Sequence, residues 1–226
     1  MKLVYVVTEG QTETNFVKRV LCPYFCTFDK NLIPITVATS SDQRKNKMYS
    51  GGMSRFEKAH TTIARCLALT KKQDIFVTTM FDFYRLPKDT PGMSSIEKLN
   101  SPYDKVAAIE NAMQEYERIN RPVYIPYVQL HEFEALLFAD LKALAEVRFD
   151  VPAQQMQILE NCLLKIKNPE LINNGEETAP SKRIMKCIPH YNKVTDGVSA
   201  LELVGVEKLR ESCTHFSSWI GKIEAL

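Results

Sequence analysis

Residues 2–13 read KLVYVVTEGQTE, and this stretch decides the fold class. Lys2 to Val7 is a β-branched and apolar run that reads as a buried strand, and Thr8-Glu9-Gly10 ends it at a turn. Gly10 is expected to allow the tight passage into a helix. Thr12 is placed to cap that helix, and Phe16, Val17, Val20 and Leu21 recur at helical spacing until Pro23 interrupts the pattern. Strand then helix is the start of an alternation that the chain continues.

Leu32 to Thr39 is a second strand candidate, leading into the basic segment SDQRKNKMYSGGMSR, which reads as a mobile loop around Gly51-Gly52. Phe56 to Leu69 has helix character, and Asp74 to Met80 is a third short strand ending at Phe81-Asp82. An excursion over Arg85 to Asn100 precedes an amphipathic helix over Tyr103 to Asn120, stopped by Pro122. Val123 to Leu130 supplies a fourth strand that runs into His131-Glu132-Phe133-Glu134 and the apolar ALLF. From Pro152 onward the sequence reads as short helices separated by NNGEE, Pro180 and Pro189, with no clear strand. The expectation is an α/β fold with a mostly parallel sheet and helices on both faces over residues 1–151. Residues 152–226 form a helical C-terminal cap packed on the same domain.

Functional groups in such folds gather at the carboxyl ends of the strands, where Glu9, Asp82 and the His131–Glu134 segment fall. A cluster of hard oxygen ligands there suits Mg²⁺ or Mn²⁺ more than zinc. Glu13, four residues after Glu9, either leans toward the same edge or serves as a first-turn acid on the helix dipole. The HEFE segment is not the zinc-protease HExxH, because Ala135 stands where the second histidine belongs. In an extended segment Glu132 and Glu134 share a face, whereas in a helix His131 and Glu134 do; local hydrogen bonding by His131 is the plainer alternative. Ser181-Lys182-Arg183 opens a helix after Pro180, either as a phosphate site or as a surface cap followed by solvated bases. Arg44, Lys45, Lys47, Arg55 and Lys58 are the densest basic stretch, suited to a nucleic-acid backbone, an acidic partner or plain solvation. Phe216, Trp219 and Ile220 have the spacing of a helix anchored in the core.

Composition narrows the function classes. The 226 residues carry 29 Lys+Arg against 27 Asp+Glu, a net charge of +2, which excludes binding of nucleic acid by bulk charge. Hydrophobic residues at 45% exclude a disordered chain. The run before Thr8-Glu9 is too short for a signal peptide, and no stretch approaches a membrane span, so a soluble, cytoplasmic protein without membrane contact is expected. The cysteines Cys22, Cys26, Cys66, Cys162, Cys187 and Cys213 lack paired spacings and read as reduced thiols.

VVTEGQTE, an apolar strand followed by Glu-Gly-x-x-Glu, resembles the opening motif of Toprim domains as found in OLD-family nucleases. Together with FDFYRLP, QLHEFEALLF, APSKRI and the late HF..W, it resembles a bacterial family of unknown function regarded as Toprim-like, over nearly the whole chain. The resemblance implies divalent-metal phosphoryl chemistry, with Glu9 in the role of the first glutamate and Asp82 in that of the first aspartate. Tyr84 stands at the second aspartate position, so an acid of HEFE has to replace it for two-metal chemistry. By the same resemblance Lys182 offsets charge on the phosphate, the substrate is DNA or RNA, and the partner is an AAA- or ABC-type ATPase in antiviral defence. The alternative is a non-catalytic Toprim-like partner or nucleotide-sensing module.

Overall fold

The computed structural model describes residues 1–37, 53–70, 74–118, 123–173 and 178–226. Strand β1 (Lys2–Thr8) is central and pairs in parallel with β2 (Lys30–Thr36) on one side and β3 (Ile75–Asp82) on the other. The outer side of β3 carries β4 (Tyr124–Ile125) and then β5 (Val128–Gln129), again in parallel, giving the order β2-β1-β3-β4 with β5 beyond the end of β4. The chain steps outward from β1 to β2 and then returns across β1 to β3. This reversal opens a crevice between the carboxyl ends of β1 and β3, the place where open parallel sheets bind ligands.

The fourth strand expected over Val123–Leu130 is therefore two short pieces. Pro126 has no N–H for the ladder, and at Tyr127, whose carbonyl accepts the Phe81 amide at 3.4 Å, the Thr79 hydroxyl takes the place of a backbone partner for the amide. Its Oγ1 accepts from the Tyr127 amide at 2.8 Å and donates to the Tyr127 carbonyl at 2.9 Å.

Two further expectations are corrected near the N-terminus. Gly10, not Thr12, is the N-cap of α1 (Gln11–Phe16), and Thr12 is buried within the first turn. Pro23 does not end the helix: α1 continues through a π-helical segment Val17–Leu21 into α2 (Cys22–Cys26), with helical dihedrals at both junctions. The Cys22 amide reaches back five residues to the Val17 carbonyl, and this wider turn passes into α2, where Pro23 stands in the first turn and a missing N–H is tolerated.

The alternation in β1 sorts its side chains onto two cores. Val4 and Val6 meet Phe16, Val17 and Leu21, whereas Val7 faces the opposite side with Val77 and Phe81. The second face is covered by α3 (Phe56–Leu69) and α4 (Pro102–Tyr116), the latter capped by the Ser101 hydroxyl. The first face is covered by α1 and by the C-terminal helices α5 (Leu141–Val147), α6 (Ala153–Ile166), α7 (Pro180–Cys187), α8 (Val198–Ser212) and α9 (Thr214–Glu224). Phe216, Trp219 and Ile220 are buried there, and the Trp219 indole donates to Thr78 Oγ1 at 2.8 Å while stacking on Tyr127 at 4.2 Å. All six cysteines are free thiols. Among the described residues no helix is long and apolar enough to cross a membrane. Arg44, Lys45, Lys47, Gly51, Gly52 and Pro122 lie outside the described residues.

Candidate active site

Strand β1 delivers Glu9 to the crevice and β3 delivers Asp82, which is buried. Gly10 between Glu9 and α1 has extended dihedrals that any residue adopts. Its bareness matters for space, because a Cβ there would stand 3.3 Å from Glu13 Oε2. Glu13, in the first turn of α1, thus folds back over the strand end. A hydroxyl chain fixes this turn: Thr14 Oγ1 lies 2.7 Å from Thr8 Oγ1 and 2.8 Å from Thr36 Oγ1, tying α1 to the ends of β1 and β2.

After Asp82 the chain makes a 3-10 turn, Phe83–Arg85, and the Tyr84 amide donates to the His131 carbonyl at 3.1 Å. The exits of β3 and β5 are joined by this bond. His131 takes a left-handed backbone conformation with φ +62, which is costly for a residue with a Cβ and turns the chain sharply after β5. Its ring is buried 5.1 Å from the half-exposed Tyr84 ring, with Nδ1 unpartnered, and burial, opposed by Glu132 and assisted by Lys105, holds its pKa down at about 4. The imidazole is therefore neutral at pH 7. The following 3-10 run Phe133–Ala139 buries Glu134.

Four carboxylates feel one another here. Burial, then Glu13, Glu9 and Glu134, push Asp82 well above the usual carboxylate range, with Lys193 in opposition. Glu9 is pushed up to about 7 by burial and then by Glu13, against Arg85, Lys193 and the Asp82 backbone. Glu134 is also pushed up to about 7 by burial, with Lys193 pulling it down and Glu132 and Glu13 raising it. Glu132 is engaged by a helix end instead, its Oε2 accepting the Ser181 amide at 3.0 Å. The amide end of α7 that the sequence offered to a phosphate is filled by this carboxylate, and Arg183 is turned away to the Thr178 carbonyl at 2.6 Å.

Asp82, Arg85, Glu132, Glu134, Ser181, Lys182, Met185, Tyr191 and Lys193 line one cavity of about 250 Å³. The structure thus brings Glu9, Glu13, Asp82, Glu132, Glu134, Ser181 and Lys182 to the crevice, while Tyr84 and His131 pack on each other beside it. Arg55 is exposed at the start of α3 and is not among the lining residues. A larger cavity of about 550 Å³ opens at the amino ends of β3 and β4, beside Phe76, Tyr124 and Glu110, away from the strand-end acids.

Sequence reasoning missed Arg85, Tyr191 and Lys193. Arg85 was within reach, standing three residues after Asp82 in FDFYRLP. Lys193 carries no local signal, yet its Nζ lies 3.9 Å from Glu13 Oε1. Burial pulls its pKa down, but Glu134, Glu13 and Asp82 outweigh that and raise it overall. Tyr191 Oη is buried without a partner, and a Cβ on Gly197 would stand 2.5 Å from it, so the turn into α8 must be bare at this point.

The acids offer an all-oxygen donor set of the kind a hard divalent cation takes. Glu9 Oε2 is buried with no hydrogen-bond partner, an open acceptor that such an ion would fill. Among the described residues no three acids, histidines or cysteines are spaced as ligands of one ion. The residues fit a magnesium- or manganese-class ion in chemistry while standing apart as a ligand set.

An all-parallel α/β fold with buried carboxylates and cations at the reversal point of its sheet is the class defined by these observations. Within it, the chain belongs to the family described as Domain of unknown function (DUF4276), which matches residues 8–224. Three structures of the C-terminal region of the Xanthomonas campestris pv. campestris OLD protein are similar in fold. The form phased with iodine is 13% identical with a TM-score of 0.37, covering 99% of this chain and 98% of that one. The form phased with platinum is 13% identical with a TM-score of 0.39, covering 98% and 96%. The form phased with mercury is 14% identical with a TM-score of 0.39, covering 96% of each chain. A likeness this distant leaves the functional reading to the chain's own residues. No curated protein matches the sequence.

Proposed function

We propose that this chain is a Toprim-like nuclease module that hydrolyses phosphodiester bonds with Mg²⁺ or Mn²⁺ and works with an AAA- or ABC-type ATPase in bacterial defence. One observation carries the chemistry: Glu13, Asp82 and Glu134, buried, and Glu9, partly buried, lie within each other's field at the strand ends, beside Arg85, Lys182 and Lys193. Burying like charges together costs stability, and such perturbed clusters in a cleft mark functional sites. The ATPase partner and the defence role rest on the resemblance of EGQTE and HEFEALLF alone.

Glu9, Asp82 and Glu134, with Glu13 beside them, would hold the ion. When bound, such an ion polarises a phosphoryl oxygen and lowers the pKa of a bound water. Arg85 and Lys182, lining the same cavity, draw the phosphate in and offset charge that develops on its oxygens. The basic segment with Arg44, Lys45, Lys47 and Arg55 is the proposed track for the DNA or RNA strand.

The test is hydrolysis of plasmid DNA and of single-stranded RNA by the purified chain with Mn²⁺, alone and with its ATPase. Glu9→Gln is expected to lower the rate by about 10²-fold or more and to leave the thermal midpoint level or higher, since it removes one of several repelling charges. Activity that persists in Glu9→Gln refutes the assignment. A second reading, the non-catalytic partner or nucleotide-sensing module, is favoured by Tyr84 in place of an acid and by the open spacing of the carboxylates. Inactivity with every metal and with the ATPase present would select it.

A further inference from the structure

Lys193 sits among the very acids that the site needs for a cation. Its Nζ is 3.9 Å from Glu13 Oε1, and it acts on Glu134, Asp82 and Glu9 through the same small volume. The acids around it do not close on a common centre, and Glu9 Oε2 is left without a partner. Both facts fit an ammonium that stands beside Glu13 and offsets the charge of the other acids without bonding to Glu9. A monovalent ammonium at 3.9 Å offsets charge without hydrogen-bonding these oxygens, whereas a divalent ion draws hard ligands to about 2.0–2.6 Å.

The backbone at Lys193 is fastened on both sides, so exchange would require only the side chain to move. Asn192 Oδ1 accepts the Val194 amide at 2.9 Å, and Asp196 Oδ2 accepts both the Asn192 amide at 3.0 Å and Arg148 Nη1 at 3.2 Å. The lysine stem is long, flexible and partly open to solvent, and its ammonium is well hydrated once released. Arg85 makes a useful contrast: it lines the same cavity and acts on Glu9 from the turn directly after Asp82.

We propose that Lys193 is the resident counter-ion of the carboxylate cluster and that a divalent cation enters by displacing its ammonium from Glu13 and the acids beside it. The inference rests on the cation-binding part of the reading above and is independent of whether the chain hydrolyses anything. Two measurements with Mn²⁺ test it.

In the wild-type chain, acetylation of Lys193 by an N-hydroxysuccinimide ester, followed by mass spectrometry, is expected to speed up several-fold when Mn²⁺ saturates the protein. An unchanged or slower rate, with Mn²⁺ bound, overturns the exchange. In electron paramagnetic resonance titrations, Lys193→Met is expected to bind Mn²⁺ about tenfold more tightly than wild type, the effect of removing a direct competitor. Arg85→Met, which removes a cation of the same cavity but not the one beside Glu13, is expected to gain about threefold or less. Equal gains in the two variants would mean that charge acts through space without exchange, and would overturn the proposal. Absence of Mn²⁺ binding in all three proteins removes the cation-binding reading and this inference with it, whereas binding without release of Lys193 removes the exchange alone.

Discussion

Asp82 and Glu170 are both buried acids in one molecule, and they live in opposite circumstances. Glu170 is 0% exposed and meets only donors: Tyr103 Oη at 3.0 Å, the His215 amide at 2.9 Å and the Phe216 amide at 2.9 Å. Two of these amides open α9, so the carboxylate also completes a helix N-terminus. Glu110 follows the same rule, accepting from the Val128 amide and lying 2.8 Å from His215 Nε2. Asp82 instead meets Glu13, Glu9 and Glu134. A buried acid surrounded by donors fastens elements together; a buried acid surrounded by acids costs stability, and the proposed cation site rests on that arrangement. Burial alone does not distinguish the two.

The largest way to break this contrast is Glu170→Ala. It strands the Tyr103 hydroxyl and two amides in the interior, so a loss of about 3–5 kcal/mol is expected in urea unfolding. A loss below about 1 kcal/mol, the size of a surface polar change, would show that Glu170 is not a fastening point.

The strand-end acids should respond to pH with the opposite logic. Glu9 and Glu134 have folded-state pKa values raised from 4.5 to about 7, so the folded chain holds more protons than the unfolded one between these values. Without metal, their contribution therefore falls as pH rises from about 4.5 to about 7, by up to about 3 kcal/mol for each acid. His131, lowered from 6.5 to about 4, works in the other direction, adding stability as pH rises through that window. The Glu9→Gln, Glu134→Gln double variant separates them: between pH 5 and pH 8 in EDTA it should gain on wild type steadily. A difference that does not change with pH would refute the burial of repelling carboxylates.

The smallest effect belongs to Gly10→Ala. Its dihedrals are open to any residue and only Glu13 has to yield, so a change under about 1 kcal/mol is expected. A larger loss would mean that Glu13 is held more rigidly over the strand end than its surroundings imply.

The legible part of the molecule was whatever obeys a local period. The strand of Lys2–Thr8, the strand end at Asp82 and the helix Phe56–Leu69 are each written in a contiguous run, and Glu9 and Asp82 became candidates because such runs end at them. Pro23 misled because a π turn absorbs its missing donor, a device with no sequence pattern. The break at Pro126 was equally hidden, since Thr79 repairs the ladder from another strand. Lys193 and the Glu110–His215 pair escaped for a deeper reason: their partners are distant in the chain, and nothing near them records the pairing. That Glu132 and Glu134 reach one cavity was hidden too, since the left-handed turn at His131 precedes both.

Trp219 is the chain's one tryptophan, packed flat on Tyr127 with an interplanar angle of 7° and its indole N–H held by Thr78 of β3. All indole fluorescence consequently originates from the seam between α9 and the sheet. Its emission should be blue and fed by energy transfer from Tyr127, and it should redden in one step when that seam opens. The protein thus carries a built-in optical gauge of C-terminal docking, one that unlabelled stopped-flow experiments can read while the strand-end acids are titrated separately.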